Sequence, residues 1–197
     1  FETFEPVDIS DVLRDLPLTT GLIQYPNYII YSTVITLQHI RTAGRKEKET
    51  LMDGIGENIE KIKKWGEFGP KNFLHRQYLV MAELADIEDS YYEAGEFYDK
   101  AAATAKQNEF LGDEAMIYEF AARFYLRHNR EPSAAFFFQR AYRCYRQWGA
   151  FAKVKHMEEN YPKYVSSAST GTTPGTGTVS TATGATGDLL DVNSIIK

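Results

Sequence analysis

Histidine and cysteine are the side chains best able to bind a metal or act as nucleophiles, and in this chain they are scattered. The histidines are His39, His75, His128 and His156. No two of them lie three or four residues apart, as a zinc-binding helix requires, so each is predicted to be a polar or half-buried helix residue. The single cysteine, Cys144, has no assigned base partner and is predicted to be a small residue facing the core.

Glycines and carboxylates form no catalytic pattern either. The glycines between residues 171 and 187 lack the lysine that a phosphate-binding loop needs after its last glycine. The carboxylates from Glu47 to Glu60 are mixed with lysines, which is typical of a solvated helix face with i, i+4 pairs. We therefore predict no catalytic, cofactor-binding or metal-binding residue, no cofactor, and no enzymatic activity in this segment.

One group of residues has a pattern typical of partner binding. It consists of Arg140, Arg143, Arg146, Tyr145 and Trp148. Arginine and aromatic side chains are enriched at the centres of protein interfaces, and Arg140 and Arg143 share a helix face. An exposed basic ridge beside buried aromatic residues explains the same pattern, so both interpretations stay open.

Charge and hydropathy exclude two classes of partner. A net charge of −5 and a pI near 5.5 argue against a general nucleic-acid binder, which needs a basic surface. The longest apolar run, residues 28–37, is about half a membrane span and contains hydroxyl residues. A single cysteine is typical of a reducing compartment. We expect a cytoplasmic protein that binds other proteins or neighbouring domains, with its oligomeric state left open.

Helical periodicity begins near Pro26 and continues to about residue 161. Apolar residues recur every three or four positions, and Gly and Pro separate the periodic stretches. The expected helices span about 26–43, 47–65, 72–87, 91–106, 113–126, 132–147 and 150–161, with Asn72 and Asp113 as N-caps. No stretch alternates with period two, so the predicted fold is an all-α antiparallel array of about seven helices.

Composition divides the chain into four parts. Residues 1–24 form an irregular lead-in and residues 25–165 the helical-repeat domain. Residues 166–187 contain almost only Gly, Ser, Thr, Ala and Pro, which predicts a disordered linker. Residues 188–197, DLLDVNSIIK, regain an apolar pattern and are predicted to start a following element. Because the chain starts with Phe1, we expect a fragment of a longer protein.

The helical part contains an internal repeat. The pattern small-x-x-x-aromatic-x-x-small occurs twice, 40 residues apart, at Ala94, Tyr98, Ala101 and at Ala134, Phe138, Ala141. It resembles the second helix of a tetratricopeptide (TPR) repeat, in which small residues let two helices approach closely. The usual period is about 34 residues. The extra residues are predicted to lie in the turn around 107–112, and a degenerate third unit is predicted at Gly54 and Asn58.

Several motifs resemble a larger family. They are NFLH at 72–75, AxxxYDxA at 94–101, AARFY at 121–125 and AYxCYxxWGA at 141–150. Together they resemble the TPR-like region of large multidomain hybrid sensor histidine kinases. In that family a serine/threonine-kinase-like domain and an AAA-type ATPase domain precede this region, and GAF and histidine-kinase domains follow it. Residues 188–197 are similar to the helix that opens the GAF domain. None of the family's catalytic motifs lies in this chain.

The resemblance implies a non-catalytic connector that acts in phosphorelay signal transduction. The alternative is a free-standing TPR-like adaptor that holds a peptide or partner protein in its concave face. The presence or absence of a histidine-kinase domain in the same reading frame distinguishes these two functions.

Overall fold

The predicted periodicity corresponds to a series of closely packed helices. The computed structural model describes residues 24–169, and that range contains eight α-helices and no β-strand. The helices are α1 (Gln24–Ile40), α2 (Arg45–Phe68), α3 (Pro70–Ile87), α4 (Tyr91–Gln107), α5 (Leu111–Arg127), α6 (Glu131–Trp148), α7 (Phe151–Asn160) and α8 (Pro162–Ser169). The all-α repeat-array prediction is confirmed. The expectations for residues 1–23 and 170–197 lie outside the described range.

Alternate helices form two layers. Each helix packs on the next one along the chain, and in addition α1 packs on α3, α3 on α5 and α6 on α8. Within the described range, α2 and α4 contact only their sequence neighbours. Because α1, α3 and α5 are close together while α2, α4 and α6 do not contact one another, this part of the stack curves with α1, α3 and α5 on its inner face.

The turns repeat every 20 residues. Asp89, Glu109, Asn129 and Gly149 all have positive φ angles, between 57° and 82°. In each turn the following N–H donates to the carbonyl five residues upstream, as Ser90 does to Ala85 at 2.8 Å. This is the Schellman bond that ends a helix by satisfying a free carbonyl group.

The 40-residue period therefore has a different origin from the one predicted. The turn between α4 and α5 contains three residues, the same number as the turns before and after it. No extra residues lie around 107–112. The helices themselves are long, at 17 or 18 residues each for α3 to α6. Two such helices and two three-residue turns give the 40-residue repeat.

The six residues of the repeat pattern all lie in the interior. Ala94, Tyr98, Ala101, Ala134, Phe138 and Ala141 are each 0% exposed. The ring of Tyr98 contacts that of Phe124 with centroids 5.2 Å apart. Phe138 stacks on Tyr161 and Tyr164 at 4.3 and 5.1 Å. The small residues thus permit close helix packing while the aromatic rings fill the space beside them.

The structure corrects two details of the helix assignment. The third unit is shifted by one residue, because Ile55 and Ile59 are buried while Gly54 is exposed. An eighth helix, α8, extends to Ser169, four residues into the predicted linker. Pro162 ends α7 but also opens α8, since proline is favoured in the first turn of a helix. Val165, only 2% exposed, anchors α8 to the core.

Candidate partner-binding groove

A groove of about 670 Å³ opens between α5, the end of α6 and the start of α7. Side chains from α1 and α3 complete its wall. Its lining residues are Tyr31, Arg76, Glu109, Phe110, Leu111, Gly112, Asp113, Met116, Glu119, Phe120, Arg123, Tyr145, Trp148 and Lys153. Its volume lies within the range of small-ligand and side-chain pockets. We call this surface the groove.

The apolar part of the groove is built around Trp148. Trp148 is 59% exposed, and the half-buried Met116 and Phe120 lie in the same lining. Gly112 permits this arrangement, because a Cβ at that position would lie 2.9 Å from a carbon of the Trp148 ring. The groove therefore offers an apolar surface that no other described residue covers.

Asp113 joins three helices at one end of the groove. Its carboxylate accepts hydrogen bonds from His75 Nε2 at 2.7 Å, Arg76 Nε at 2.9 Å and Tyr31 Oη at 3.2 Å. Burial raises the pKa of Asp113, but the hydrogen bond from His75 and the charge of Arg76 outweigh burial and hold it below its usual value. The predicted N-cap role of Asp113 is wrong: α5 begins at Leu111, and the carboxylate binds α1 and α3 instead of its own helix.

Glu119 joins α5, α6 and α7 at the other end. Its carboxylate accepts hydrogen bonds from Tyr145 Oη at 2.7 Å and Lys153 Nζ at 2.9 Å, and Arg123 lies 3.9 Å away. Burial raises the pKa of Glu119, but the hydrogen bonds from Lys153 and Tyr145 outweigh burial and hold the pKa below its usual value. Glu119 is thus ionised at neutral pH and fixes the groove wall.

The charged groups of the groove differ in how far they reach its surface. The carboxylates of Asp113 and Glu119 have side chains only 9% and 4% exposed, whereas those of Arg123 and Lys153 are 33% and 41% exposed. Arg123 stacks over Phe120 at 4.6 Å, and its Nε is buried without an acceptor. Glu109 is an exposed carboxylate in the lining. The groove therefore combines an exposed aromatic surface with two partly exposed cations, Arg123 and Lys153, and one exposed carboxylate, Glu109.

A second buried network of ion pairs and hydrogen bonds lies outside the groove. Asp86 accepts hydrogen bonds from Arg41 Nε at 3.0 Å, Arg127 at 2.6 Å and His128 Nε2 at 2.7 Å. Glu83, on the same helix, accepts hydrogen bonds from Arg41 and from the Tyr98 hydroxyl. This network connects the turn after α1 to α3, α4 and α5 and does not contribute to the groove lining.

The residues predicted to bind a partner are divided between different surfaces. Tyr145 and Trp148 line the groove, but Tyr145 is only 3% exposed and acts there through Glu119. Arg140 and Arg143 line a second cleft of about 590 Å³, where Arg140 donates a hydrogen bond to Tyr118 at 3.0 Å. Arg146 lies over the Tyr142 ring at 5.8 Å. The five residues do not form one surface.

Asp113, Glu119 and Arg123 are groove residues that the sequence pattern does not predict. The sequence pattern predicts only a helix-capping role for Asp113, and it predicts no role for Glu119 or Arg123. One signal is present in the sequence: Glu119 lies between Tyr118 and Phe120 in a stretch that is otherwise mostly apolar. Carboxylates inside such a stretch are rarely buried unless they are paired.

Comparisons with known proteins identify the repeat. The sequence profile of the family described as "CHK1-like, TPR repeats" matches residues 7–167. No curated protein and no solved structure matches the chain. None of the helices between residues 24 and 169 combines the length and apolarity needed to cross a bilayer. Within the same range, no three His, Cys, Asp or Glu side chains are grouped as metal ligands would be.

Proposed function

This chain belongs to the family of CHK1-like TPR repeats, and from that premise we propose that it is a non-catalytic connector of a multidomain sensor histidine kinase. TPR repeats are protein-interaction modules whose stacked helices form a concave binding surface. The finer assignment is supported by the motifs at 72–75, 94–101, 121–125 and 141–150, which resemble the TPR-like region of those kinases.

The observation that carries the interaction role is the groove. It has exposed aromatic surface at Trp148, flanked by Arg123 and Lys153, and its walls are fixed by Asp113 and Glu119. Tryptophan, tyrosine and arginine are the residues enriched at the centres of protein interfaces. In the proposed role the groove holds a segment of a neighbouring domain or of another component of the phosphorelay.

The connector assignment is tested on the transcript that encodes the chain. We expect its reading frame to continue into a GAF domain and a histidine-kinase domain with a phospho-accepting histidine. A frame that lacks such a kinase domain would overturn the assignment while leaving the interaction role of the groove intact.

The role of the groove is tested in the full-length protein with two exposed aromatic residues. Trp148→Ala removes the groove aromatic, and Tyr92→Ala removes a ring that is 87% exposed on α4 and absent from the groove lining. Losing a central aromatic anchor typically weakens an interface by about 2 kcal/mol or more, roughly thirtyfold. We expect Trp148→Ala to reduce signal-dependent phosphotransfer and Tyr92→Ala to leave it unchanged; equal effects of the two variants would contradict this role.

The open groove also favours a second function, that of a free-standing adaptor. A free-standing adaptor would use the same surface to hold a peptide of a separate protein. A short reading frame without kinase domains, together with peptide binding that Trp148→Ala abolishes, would establish it.

A further inference from the structure

The second cleft lies between two helices that do not contact each other. It is lined by Lys106 at the end of α4 and by Arg140 and Arg143 on α6, and α5, which packs on both helices, contributes its first two turns. Within the described range α4 and α6 make no contact, so the space of about 590 Å³ between them stays open. No described residue of α1 or α3 lines it, whereas both helices contribute to the groove. The second cleft is therefore a surface distinct from the groove.

The three cations of the second cleft are exposed and have few partners. A guanidinium group has five N–H donors, and Arg140 donates one described hydrogen bond, to Tyr118. The side chains of Lys106 and Arg143 form no hydrogen bond or ion pair with another described residue. Burial raises the pKa of Asp99 more than the charge of Arg140 lowers it, and no ion pair joins these two described side chains. The three cations are therefore available to a bound group.

The two carboxylates of the lining offset the cations only in part. Glu114 is 8% exposed and lies beside the Tyr118 hydroxyl: burial raises the pKa of Tyr118, the hydrogen bond from Arg140 lowers it, and the charge of Glu114 adds to the rise. Glu109 is exposed on the turn between α4 and α5, where it also lines the groove. The lining thus carries three positive and two negative side chains in a chain of net charge −5. The second cleft has an excess of one positive charge.

This excess determines the charge of the group that fits. One carboxylate neutralises it, whereas a phosphate monoester, with a charge of about −1.5 to −2 at pH 7, would leave negative charge beside Glu109 and Glu114. Arg140 and Arg143 are three residues apart and therefore neighbours on one face of α6. Guanidinium groups bind carboxylates through paired hydrogen bonds. Arg140 also lies 4.5 Å over the ring of Phe136, which is 50% exposed and offers an apolar contact next to the bound charge.

We propose that the second cleft binds an acidic segment of a partner protein, with one Asp or Glu side chain held by Lys106, Arg140 and Arg143. An apolar side chain next to that carboxylate lies on Phe136, which favours a protein segment over a free carboxylic acid. The inference goes beyond the proposed function, which concerns the groove alone. A connector with both surfaces contacts two segments at once, one in the groove and one in the second cleft.

The test uses two synthetic peptides with blocked ends as probes of the full chain. One peptide has a glutamate between two leucines, and the other has a glutamine in its place. Binding at millimolar concentration is followed in ¹H–¹⁵N NMR spectra through the amide signals of Leu111, Cys144 and Gln147, which line the second cleft. Inorganic phosphate is titrated in parallel.

The variants separate the cleft cations from the net charge of the chain. Arg140→Gln with Arg143→Gln removes two cations of the lining. The matched control, Arg45→Gln with Lys155→Gln, removes two cations elsewhere, whose side chains are 94% and 77% exposed. Lys106→Gln leaves the hydrogen bond between Arg140 and Tyr118 intact, so the proposal is testable even if the double arginine variant does not fold.

We expect the glutamate peptide, and not the glutamine peptide, to shift the three signals. One exposed ion pair changes an equilibrium constant by up to about fivefold, so losing both arginines lowers the binding constant on the order of tenfold. Lys106→Gln should lower it by up to about fivefold, and the control should leave it unchanged.

Three outcomes would overturn the proposal. Equal shifts with the two peptides, or none with either, mean that the second cleft does not recognise a carboxylate. Shifts with inorganic phosphate but not with the glutamate peptide mean that the site takes a different anion. Equal weakening in the control variant means that net charge, not the lining, is responsible. The Trp148→Ala experiment on the groove is unaffected by each of these outcomes, so the proposed function does not fail with this inference.

Discussion

Replacing Asp113 by alanine tests whether its carboxylate holds α1, α3 and α5 together or only caps its own helix. The change leaves His75, which is 0% exposed, and the Arg76 guanidinium, which is 12% exposed, without their shared acceptor. Losing one partner of a buried ion pair costs about 3–5 kcal/mol. Arg76 keeps Asn27 as a second acceptor at 2.6 Å, which favours the lower part of that range, about 3–4 kcal/mol. An N-cap would cost only about 0.5–2 kcal/mol.

The assay is urea and thermal unfolding of the chain at pH 7. At about 2–4 °C per kcal/mol for a domain of this size, Asp113→Ala should lower Tm by roughly 6–16 °C. Glu93→Ala is the control, because Glu93 is also an acidic first-turn residue but is exposed on α4. Its loss should cost at most about 1 kcal/mol through the helix dipole. If the two variants lose similar free energies of unfolding, Asp113 does not hold the three helices together as argued.

The effect of pH provides an independent check on the same carboxylate. The folded state holds the pKa of Asp113 below its usual value. A group of this kind stabilises the fold above its unfolded pKa, about 3.9, and that contribution is lost as the pH falls through the folded pKa. The stability difference between wild type and Asp113→Ala should therefore be full at pH 6 and shrink below about pH 4. A difference that grows on acidification would contradict the assigned direction.

Four further predictions concern the packing, the turns and the buried titratable groups. Ala94→Leu should cost about 1–3 kcal/mol by overpacking the core, whereas Ala103→Leu, exposed on the same helix, should stay within about 0.5 kcal/mol in urea unfolding. Glu109→Gly should raise stability by about 1 kcal/mol, since Glu109 has a φ of 63°; a loss would contradict the strain argument. Cys144, whose pKa burial raises to about 11, should react with iodoacetamide on the order of a thousandfold more slowly at pH 8 than a fully ionised thiolate would. Because Glu119 and Asp86 also have lowered pKa values, the whole domain should lose stability below about pH 4, as measured by circular dichroism against pH.

The helices and the repeat could be predicted because their determinants are local. Apolar residues three and four apart specify one face of a helix wherever they occur, and Ile29, Ile30, Val34 and Leu37 are buried along one such face of α1. The spacing of Ala94, Tyr98 and Ala101 carries the same local information, because a small residue is required wherever two helices approach closely. The helix periodicity and the repeat spacing therefore do not depend on how distant helices pack.

The groove could not be predicted in this way because its residues pair over long distances. The bond between Asp113 and His75 spans 38 residues, and that between Glu119 and Lys153 spans 34. An aspartate near the start of a helix satisfies the local rule for a cap equally well whether it faces its own backbone or another helix. Only the packing of α5 on α3 determines whether the carboxylate of Asp113 faces its own backbone or another helix. Long-range packing is also why Arg140 and Trp148, eight residues apart, line different clefts.

The two groove carboxylates explain how a repeat of long helices can present a fixed binding surface. Asp113 connects α1, α3 and α5, and Glu119 connects α5, α6 and α7, so α5 is held near its start and again at its middle. Solenoid repeats otherwise contact only their neighbours, which leaves the curvature of the inner face free to vary. Each carboxylate instead bonds to more than one other helix, so changing the curvature would break buried ionic hydrogen bonds. The groove is therefore preorganised, and the ordering cost of binding falls on the segment that enters it.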